Sequence, residues 1–445
     1  MQANNLIDEY LRVVKGDIEN YYKDYQFLKE RVKNSTAIYK GEPVDFLYQP
    51  LFFTKEEVRG FENLLMILNR IIKKVINEYR NSAKFRSYFA FPELMEELLL
   101  VEPGYGVDIP MGRFDIFYQP DASVKFCELN TDGASAMNEV RVLQKVMLDA
   151  KALNIIKKNY QLTGFELFYS WLDTIIKNYR IFAEGKNKKD RPNIAIMDFD
   201  GEGTIYEFKE FQKRFIQAGY QTVICDPRDF NYTNGKLYYK NIEIDLIYRR
   251  ATTGRLIEES KSITDFIKAY KDGAVCVVGG LVSQIIHNKL FFAILHDKKK
   301  VDFLTEQEYD FIKRYIPYTA VIADANSKVM DSLLDNKNKY ILKPFDRFAG
   351  KGVYAGRDFS NFKWQDIVAR VRSRDYLLQE FVEIPGREMI SEKEGKLLIE
   401  RYGYLLGLFS YNGLLQGLYT RVGRKNIIAA AGESFTIPNY IIEKK

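Results

Sequence analysis

Arg113, Asp115, Glu128 and Asn130 lie within one short stretch, residues 112–133, GRFDIFYQPDASVKFCELNTDG. Phe114-Asp115-Ile116-Phe117-Tyr118 and Val124-Lys125-Phe126-Cys127-Glu128-Leu129 are β-prone runs, with a turn-rich break, Gln119-Pro120-Asp121-Ala122-Ser123, between them. The pattern predicts a hairpin. With its turn centred between Asp121 and Ala122, Asp115 faces Glu128, Arg113 faces Asn130, and all four side chains share one face. Acids directly opposite each other repel, because their β-carbons stand only about 5 Å apart. Something positive must compensate.

Further along, Tyr340-Ile341-Leu342-Lys343-Pro344-Phe345 runs into Asp346-Arg347-Phe348-Ala349-Gly350-Lys351-Gly352-Val353. A lysine at a strand end precedes a loop with two close glycines, Gly350 and Gly352. Such a loop can lay backbone N–H groups against phosphate oxygens. It is not a Walker loop, since Gly350-Lys351 is followed by Gly352; a surface hairpin would use glycines equally well. In Tyr376-Leu377-Leu378-Gln379-Glu380-Phe381-Val382, the Gln379-Glu380 pair interrupts an apolar strand. Backbone groups there can read an adenine edge between the apolar walls of Phe381 and Val382, or the strand simply emerges at a sheet edge. Ser410-Tyr411-Asn412-Gly413-Leu414-Leu415 carries an Asn-Gly hairpin signal, and the returning strand ends in Arg421, a candidate anion contact. The polar segment Thr131-Asp132-Gly133-Ala134-Ser135 opens a helix. Asp132 and Ser135 either border a substrate carboxylate bound by exposed N–H groups or merely cap that helix.

The elements that must position these residues fall into a mixed order. Residues 1 to about 100 read as mainly helical, with apolar residues at three and four spacing in 58–79 and 92–101. A helix is expected over 136–148, capped by Ser135, and a further helical block to about residue 184. Gly185-Lys186-Asn187-Lys188-Lys189-Asp190-Arg191-Pro192 reads as a linker. Strand 193–199, Gly201-Glu202-Gly203, a helix to about Ala218 and strand 221–225 form a βαβ unit. Tyr206 stands where a dinucleotide fingerprint needs its third glycine, so a plain tight turn is favoured there. A strand over 245–248, a helix over 256–270 and a strand over 274–278 follow.

Length and composition set the frame. A chain of 445 residues exceeds the roughly 250–300 at which single cores stop growing. Hydrophobic content of 46% supports folding, and a net charge of +6 from 66 basic and 60 acidic residues is too diffuse to indicate nucleic acid. The N-terminus lacks the pattern of a signal peptide, and no window suggests a membrane span, so a cytoplasmic protein is expected. Cys127, Cys225 and Cys276 are far apart and form neither a disulfide framework nor a zinc site. His287 and His296 leave few candidates for a histidine-based triad.

Taken together, the Arg-x-Asp and Glu-x-Asn pairs and the Leu-Lys-Pro strand with its glycine loop resemble the circularly permuted ATP-grasp enzymes. Specifically, the chain looks like the synthetase portion of glutathionylspermidine synthase, over roughly residues 90–440. The resemblance implies an α/β (α+β mixed) fold of ATP-grasp type, circularly permuted, with a helical N-terminal layer and a Rossmann-like pre-ATP-grasp βαβ domain. Residues 1–190 would hold the helical region and the hairpin, 191–275 the Rossmann-like domain, and 276–445 the nucleotide-binding lobes.

By the same resemblance the cofactors are ATP and Mg2+. Asp115, Glu128 and Asn130 would hold the metal, whose preference for oxygen ligands suits two opposed acids and an amide. The alternative is that the acids are screened by solvent or paired with a lysine such as Lys125. Arg113 would contact the transferred phosphoryl group or the tetrahedral intermediate, with Arg421 on the closing anion-binding segment. Lys289 and Lys343 would contact ATP, with Gly350 and Gly352 in the glycine loop and Gln379, Glu380, Phe381 and Val382 at the adenine hinge. The implied activity is an ATP-dependent C–N ligase that joins a small-molecule or peptide carboxylate to an amine and releases ADP and phosphate. Alternatives are an inactive ATP-binding sensor or assembly factor, or a ligase acting on a peptide or protein terminus. No nucleic acid or membrane partner is expected.

Overall fold

A computed structural model of the chain describes residues 2–347, 350–428 and 434–445. Phe348 and Ala349, inside the predicted glycine loop, lie outside the described residues. The hairpin forms, with strands Met111–Tyr118 and Val124–Asn130. It is part of a six-stranded sheet in which Met111–Tyr118 pairs with the long strand Lys396–Tyr411, itself flanked by Leu414–Gly423 and Gly386–Lys393. One face of the hairpin is core: Phe114, Ile116 and Phe126 are fully buried and Leu129 nearly so. Helix Lys55–Asn81, started by a capping box between Thr54 and Glu57, packs nearby, with the Phe61 ring edge-on to Tyr118 at 5.0 Å. The turn joining the two long strands is the expected Asn412-Gly413 pair, both with positive φ, as a tight two-residue hairpin requires.

Register along the first hairpin changes once. Near the turn Tyr118 faces Val124 and Ile116 faces Phe126, a register centred on Asp121 itself. The ladder then shifts, and beyond the shift Asp115 faces Glu128 and Arg113 faces Asn130. Cys127 is the extra residue of this β-bulge. Were Cys127 instead paired in regular register, Glu128 would stand opposite Phe114 on the buried face, because a slip of one residue exchanges the two faces of a strand. The expected pairing therefore exists at the four polar residues, but a bulge rather than the turn produces it.

A second sheet is parallel throughout, in the order Cys276–Val278, Leu246–Arg249, Ile194–Met197, Thr222–Cys225. Ile194, Ala195, Ile196 and Met197 are all buried, the unbroken apolar run of a strand covered on both faces. The helix after its first strand spans Ile205–Gln217. The helix expected over 256–270 is two helices, Thr253–Glu258 and Thr264–Lys271. Between them Ser262 Oγ donates back to Glu259 O at 2.9 Å, while Ile263 turns into the core.

A third sheet orders its strands Thr319–Val321, Tyr376–Glu380, Tyr340–Pro344, Tyr354–Ala355. Leu342 and Leu378 face helices Ser327–Asp335 and Asn361–Val371, packing with Leu333 and Trp364. The opposite face carries Lys343 and Gln379. Tyr376–Glu380 is an interior strand, paired on both sides, so the sheet-edge alternative for Gln379 and Glu380 does not hold.

Two other expectations are corrected. Ser135 caps nothing: the helix runs Met137–Met147, its N-cap is Ala136 at φ +89°, and no side chain of the cap bonds the first turn. Instead Glu207, from the helix Ile205–Gln217, accepts the Asn138 N–H at 3.1 Å. The block read as helical up to residue 184 contains a strand, Tyr160–Thr163, because it pairs with Asn439–Lys444 from the far end of the chain. No helix among the described residues is long and apolar enough to cross a membrane.

Candidate active site

On the polar face of the hairpin, Arg113 donates through Nε to Asp115 Oδ1 at 2.9 Å and through Nη2 to Asp115 Oδ2 at 3.2 Å, a two-pronged ion pair. Its Nη1 donates to the carbonyl of Ser135 at 2.9 Å. The amide of Asn130 donates to Asp115 Oδ2 and Glu128 Oε1, each at 3.2 Å. Burial pushes Asp115 above the ordinary aspartate range against the pull of Arg113, and Glu128 adds to the push.

Glu128 has the opposite balance. Burial alone would raise it, but Lys289 and then Lys343 draw it down to about 2. Lys289 Nζ stands 3.9 Å from Glu128 Oε2 and donates to Arg347 O at 2.8 Å. Lys343 Nζ donates to the carbonyl of Cys127 at 3.2 Å, so the bulge residue is also where the third sheet meets the hairpin. The compensating charge demanded by two opposed acids is thus present as one arginine and two lysines from separate segments.

The rest of the polar face comes from strands almost three hundred residues downstream. Gly407 pairs with both Asp115 and Tyr419, which places Tyr419 and Arg421 on the same face. The Arg113 guanidinium lies 5.2 Å and that of Arg421 5.4 Å from the centre of the Tyr419 ring. Arg421 Nε donates to Tyr419 Oη at 3.4 Å, and among the described residues no carboxylate lies within ion-pair distance of it. The Tyr419 hydroxyl donates to Glu139 Oε2 at 3.3 Å. Gly407, Tyr419 and Glu139 were not singled out in the sequence. Gly407 reads there as an ordinary strand glycine, and Glu139 as an acid suited to the first turn of any helix.

The remaining candidates divide. Gln379 is buried on the same sheet face as Lys343 and donates to Thr319 Oγ1 at 2.9 Å. Glu380 is exposed, and its N–H bonds Tyr318 O at 2.8 Å; the Phe381 N–H bonds Lys339 O at 2.7 Å. Phe381 and Val382 are half-buried, with the Arg357 guanidinium 3.9 Å above the Phe381 ring. Gly350 and Gly352 both adopt positive φ, +72° and +74°. Asp132 lies away from the polar face in a fully buried ion pair, 2.6 Å from Arg249 Nη1, and accepts the Thr253 N–H at 2.6 Å. Ser135 meets the site through its backbone carbonyl.

A glutathione synthetase-like effector from Globodera pallida, GSS30 in its apo form, superposes on 96% of this chain and 98% of its own, with a TM-score of 0.62 at 10% identity. The chain shares that fold. D-alanyl-alanine synthetase A from Vibrio cholerae O1 biovar eltor matches over 58% of this chain and 90% of its own, at TM-score 0.28 and 11% identity. D-cycloserine synthetase DcsG matches over 56% and 91%, at 0.29 and 12%. No protein family model and no curated protein sequence matches the chain.

Among the described residues no three His, Cys, Asp or Glu side chains cluster as a metal cage. The hairpin offers a sparser set, two carboxylates and one amide. That set fits magnesium, which takes few protein ligands and completes its shell with water and phosphate oxygens. Glu128 is held ionised, as a metal ligand must be.

Proposed function

We propose that the chain is an ATP-dependent carboxylate–amine ligase of the circularly permuted ATP-grasp type, similar to the synthetase portion of glutathionylspermidine synthase. The observation that carries this reading is the convergence of Lys289 and Lys343 on Glu128, beside an Arg113–Asp115 pair and an Arg421 that has no acid partner among the described residues. It is a site prepared for several negative charges at once.

In this reading Lys289 and Lys343 hold the triphosphate, with Gly350 and Gly352 turning backbone N–H groups toward it and Gln379 to Val382 bordering the adenine. Residues 276–445 supply these nucleotide-binding lobes, and 191–275 the pre-ATP-grasp domain. Glu128, Asp115 and the amide oxygen of Asn130 would hold magnesium, which when bound supplies neutralisation of the terminal phosphates. Asn130 would then turn its amide over, since its NH2 group now faces both carboxylates.

The substrate carboxylate attacks the γ-phosphorus, ADP leaves, and the acyl phosphate is taken by an amine with loss of phosphate. Arg113 and Arg421 steady the charge that grows on the transferred phosphoryl and on the tetrahedral oxygen. Asp132 anchors the segment whose Ser135 carbonyl orients Arg113, and Ser135 borders the carboxylate. No protein nucleophile takes part.

Release of ADP, measured over pairs drawn from amino acids, glutathione, short peptides and polyamines, tests the reading. At least one pair should turn over, and Glu128→Gln should abolish that turnover while the protein stays folded. One observation favours a second reading, an ATP-binding protein without ligase activity: both oxygens of Asp115 are already taken by Arg113 and Asn130. That reading predicts stabilisation by ATP with no ADP formed from any pair.

A further inference from the structure

Of four acids around this face, three have a cation partner among the described residues. Asp115 is bound by Arg113, Glu128 lies between Lys289 and Lys343, and Glu207 is 3.1 Å from Arg250 Nη2 in a fully buried pair. Glu139 is the exception: among the described residues no lysine or arginine nitrogen comes within 4 Å of it. Among the described residues its Oε2 accepts two hydroxyls, Tyr419 Oη at 3.3 Å and Thr436 Oγ1 at 3.4 Å. Solvent still reaches the residue, which is half-buried in the first turn of helix Met137–Met147. Tyr419 joins it to the clamp, since the ring flanked by Arg113 and Arg421 carries the hydroxyl that touches Glu139.

We propose that Glu139 receives the acceptor amine as its ammonium ion and takes its proton before attack. The inference rests on the ligase reading above. Two requirements meet here. An alkylamine is almost wholly protonated near neutral pH, so it lacks the lone pair that must attack. It is also repelled by the arginines that bind the acyl phosphate, unless an acid not held in an ion pair draws it in. One carboxylate beside the clamp answers both needs.

The protons and electrons balance. The ammonium gives one proton to Glu139 and becomes a neutral amine. Its nitrogen lone pair forms the C–N bond to the acyl carbon, and the C–O bond to phosphate breaks with its electron pair on oxygen. The second nitrogen proton leaves with the phosphate, and Glu139 returns the first to water. The charged and titratable groups facing Glu139 are Arg421, Glu207, Arg113 and Tyr419; burial, the largest influence, raises its pKa and so favours proton uptake.

The test compares nucleophiles in Glu139→Gln, with the carboxylate that supports turnover in the acid–amine screen. Glycine and spermidine are the ammonium probes. Hydroxylamine, largely uncharged near neutral pH, traps the same acyl phosphate without needing a base. ADP release with the ammonium probe that the wild type uses should fall about 100-fold or more, and hydroxylamine-driven release less than about threefold. Glu139→Ala should show the same split, and ATP should raise the melting temperature of both variants as in the wild type. Equal losses on the two kinds of nucleophile, or an undiminished rate with the ammonium probe, would overturn the inference. A wild type that releases no ADP with any nucleophile, hydroxylamine included, overturns the ligase reading and this inference with it.

Discussion

Gly407 lies directly across the ladder from Asp115, and a β-carbon on it would stand 2.9 Å from both Asp115 Oδ1 and Arg113 Cδ. The Arg113–Asp115 pair lies flat on the sheet because the strand beneath it has no side chain there. Neither group can step aside, since each is held by the other and by Asn130 or Ser135. Gly407→Ala should therefore cost about 1–3 kcal/mol in urea unfolding. It should also cut ADP release at least tenfold, by about 1.4 kcal/mol of lost transition-state binding. Wild-type stability and turnover in that variant would show that the pair is free to move.

Cys127 contributes length rather than sulfur. Its thiol is pushed by burial up to about 11, away from any reactive range, and its carbonyl is what Lys343 bonds. Cys127→Ala should keep both fold and turnover. Deleting the residue closes the bulge with Asp115 still opposite Glu128, but it removes the carbonyl that Lys343 bonds, so turnover should fall while the fold is kept. The check is circular dichroism together with ADP release on the two variants.

Glu128 makes stability depend on pH with a definite sign. Its folded value of about 2 lies below the 4.5 of an unperturbed glutamate, so folding favours the ionised form. The stabilisation is complete above about pH 4.5 and is lost as pH falls toward 2. Allowing for solvent contact, the stability difference between wild type and Glu128→Gln should shift by about 1–3 kcal/mol across that window, in urea melts with chelator present. A difference that stays flat with pH would mean that the two lysines do not act on this carboxylate.

Arg250 and Glu207 form a buried pair that holds the segment leading to Ser135, since Arg250 Nη1 also donates to Ala134 O. Glu207→Gln leaves a buried guanidinium without its acid and also weakens the contact to the Asn138 N–H. The expected cost is about 3–5 kcal/mol in thermal or chemical unfolding.

The parts of the site that could be read from the sequence are those made by neighbours in the chain. The hairpin acids stand out because β-prone runs, a turn and paired polar residues all fall within residues 112–133. The βαβ unit is visible for the same reason, as apolar runs punctuated by glycine. Gly407 and Tyr419 are hidden because they reach the hairpin through strand pairing across almost three hundred residues. The bulge at Cys127 leaves no mark in composition, and it moves the turn centre without disturbing the pairing at Asp115. Ser135 misleads because a serine before a helix looks like its cap, whereas a distant glutamate, Glu207, serves that helix instead. The single helix expected over 256–270 fails because burial of Ile263 overrides the local helical period.

The most direct measurement is a crystal structure with the β,γ-imido analogue of ATP and manganese, whose anomalous scattering marks the cation. The account predicts the terminal phosphates between Lys289 and Lys343, with manganese on Glu128 and at least one of Asp115 and Asn130. A nucleotide seated elsewhere, or manganese away from Glu128 while the Arg113–Asp115 pair stays closed, would contradict it.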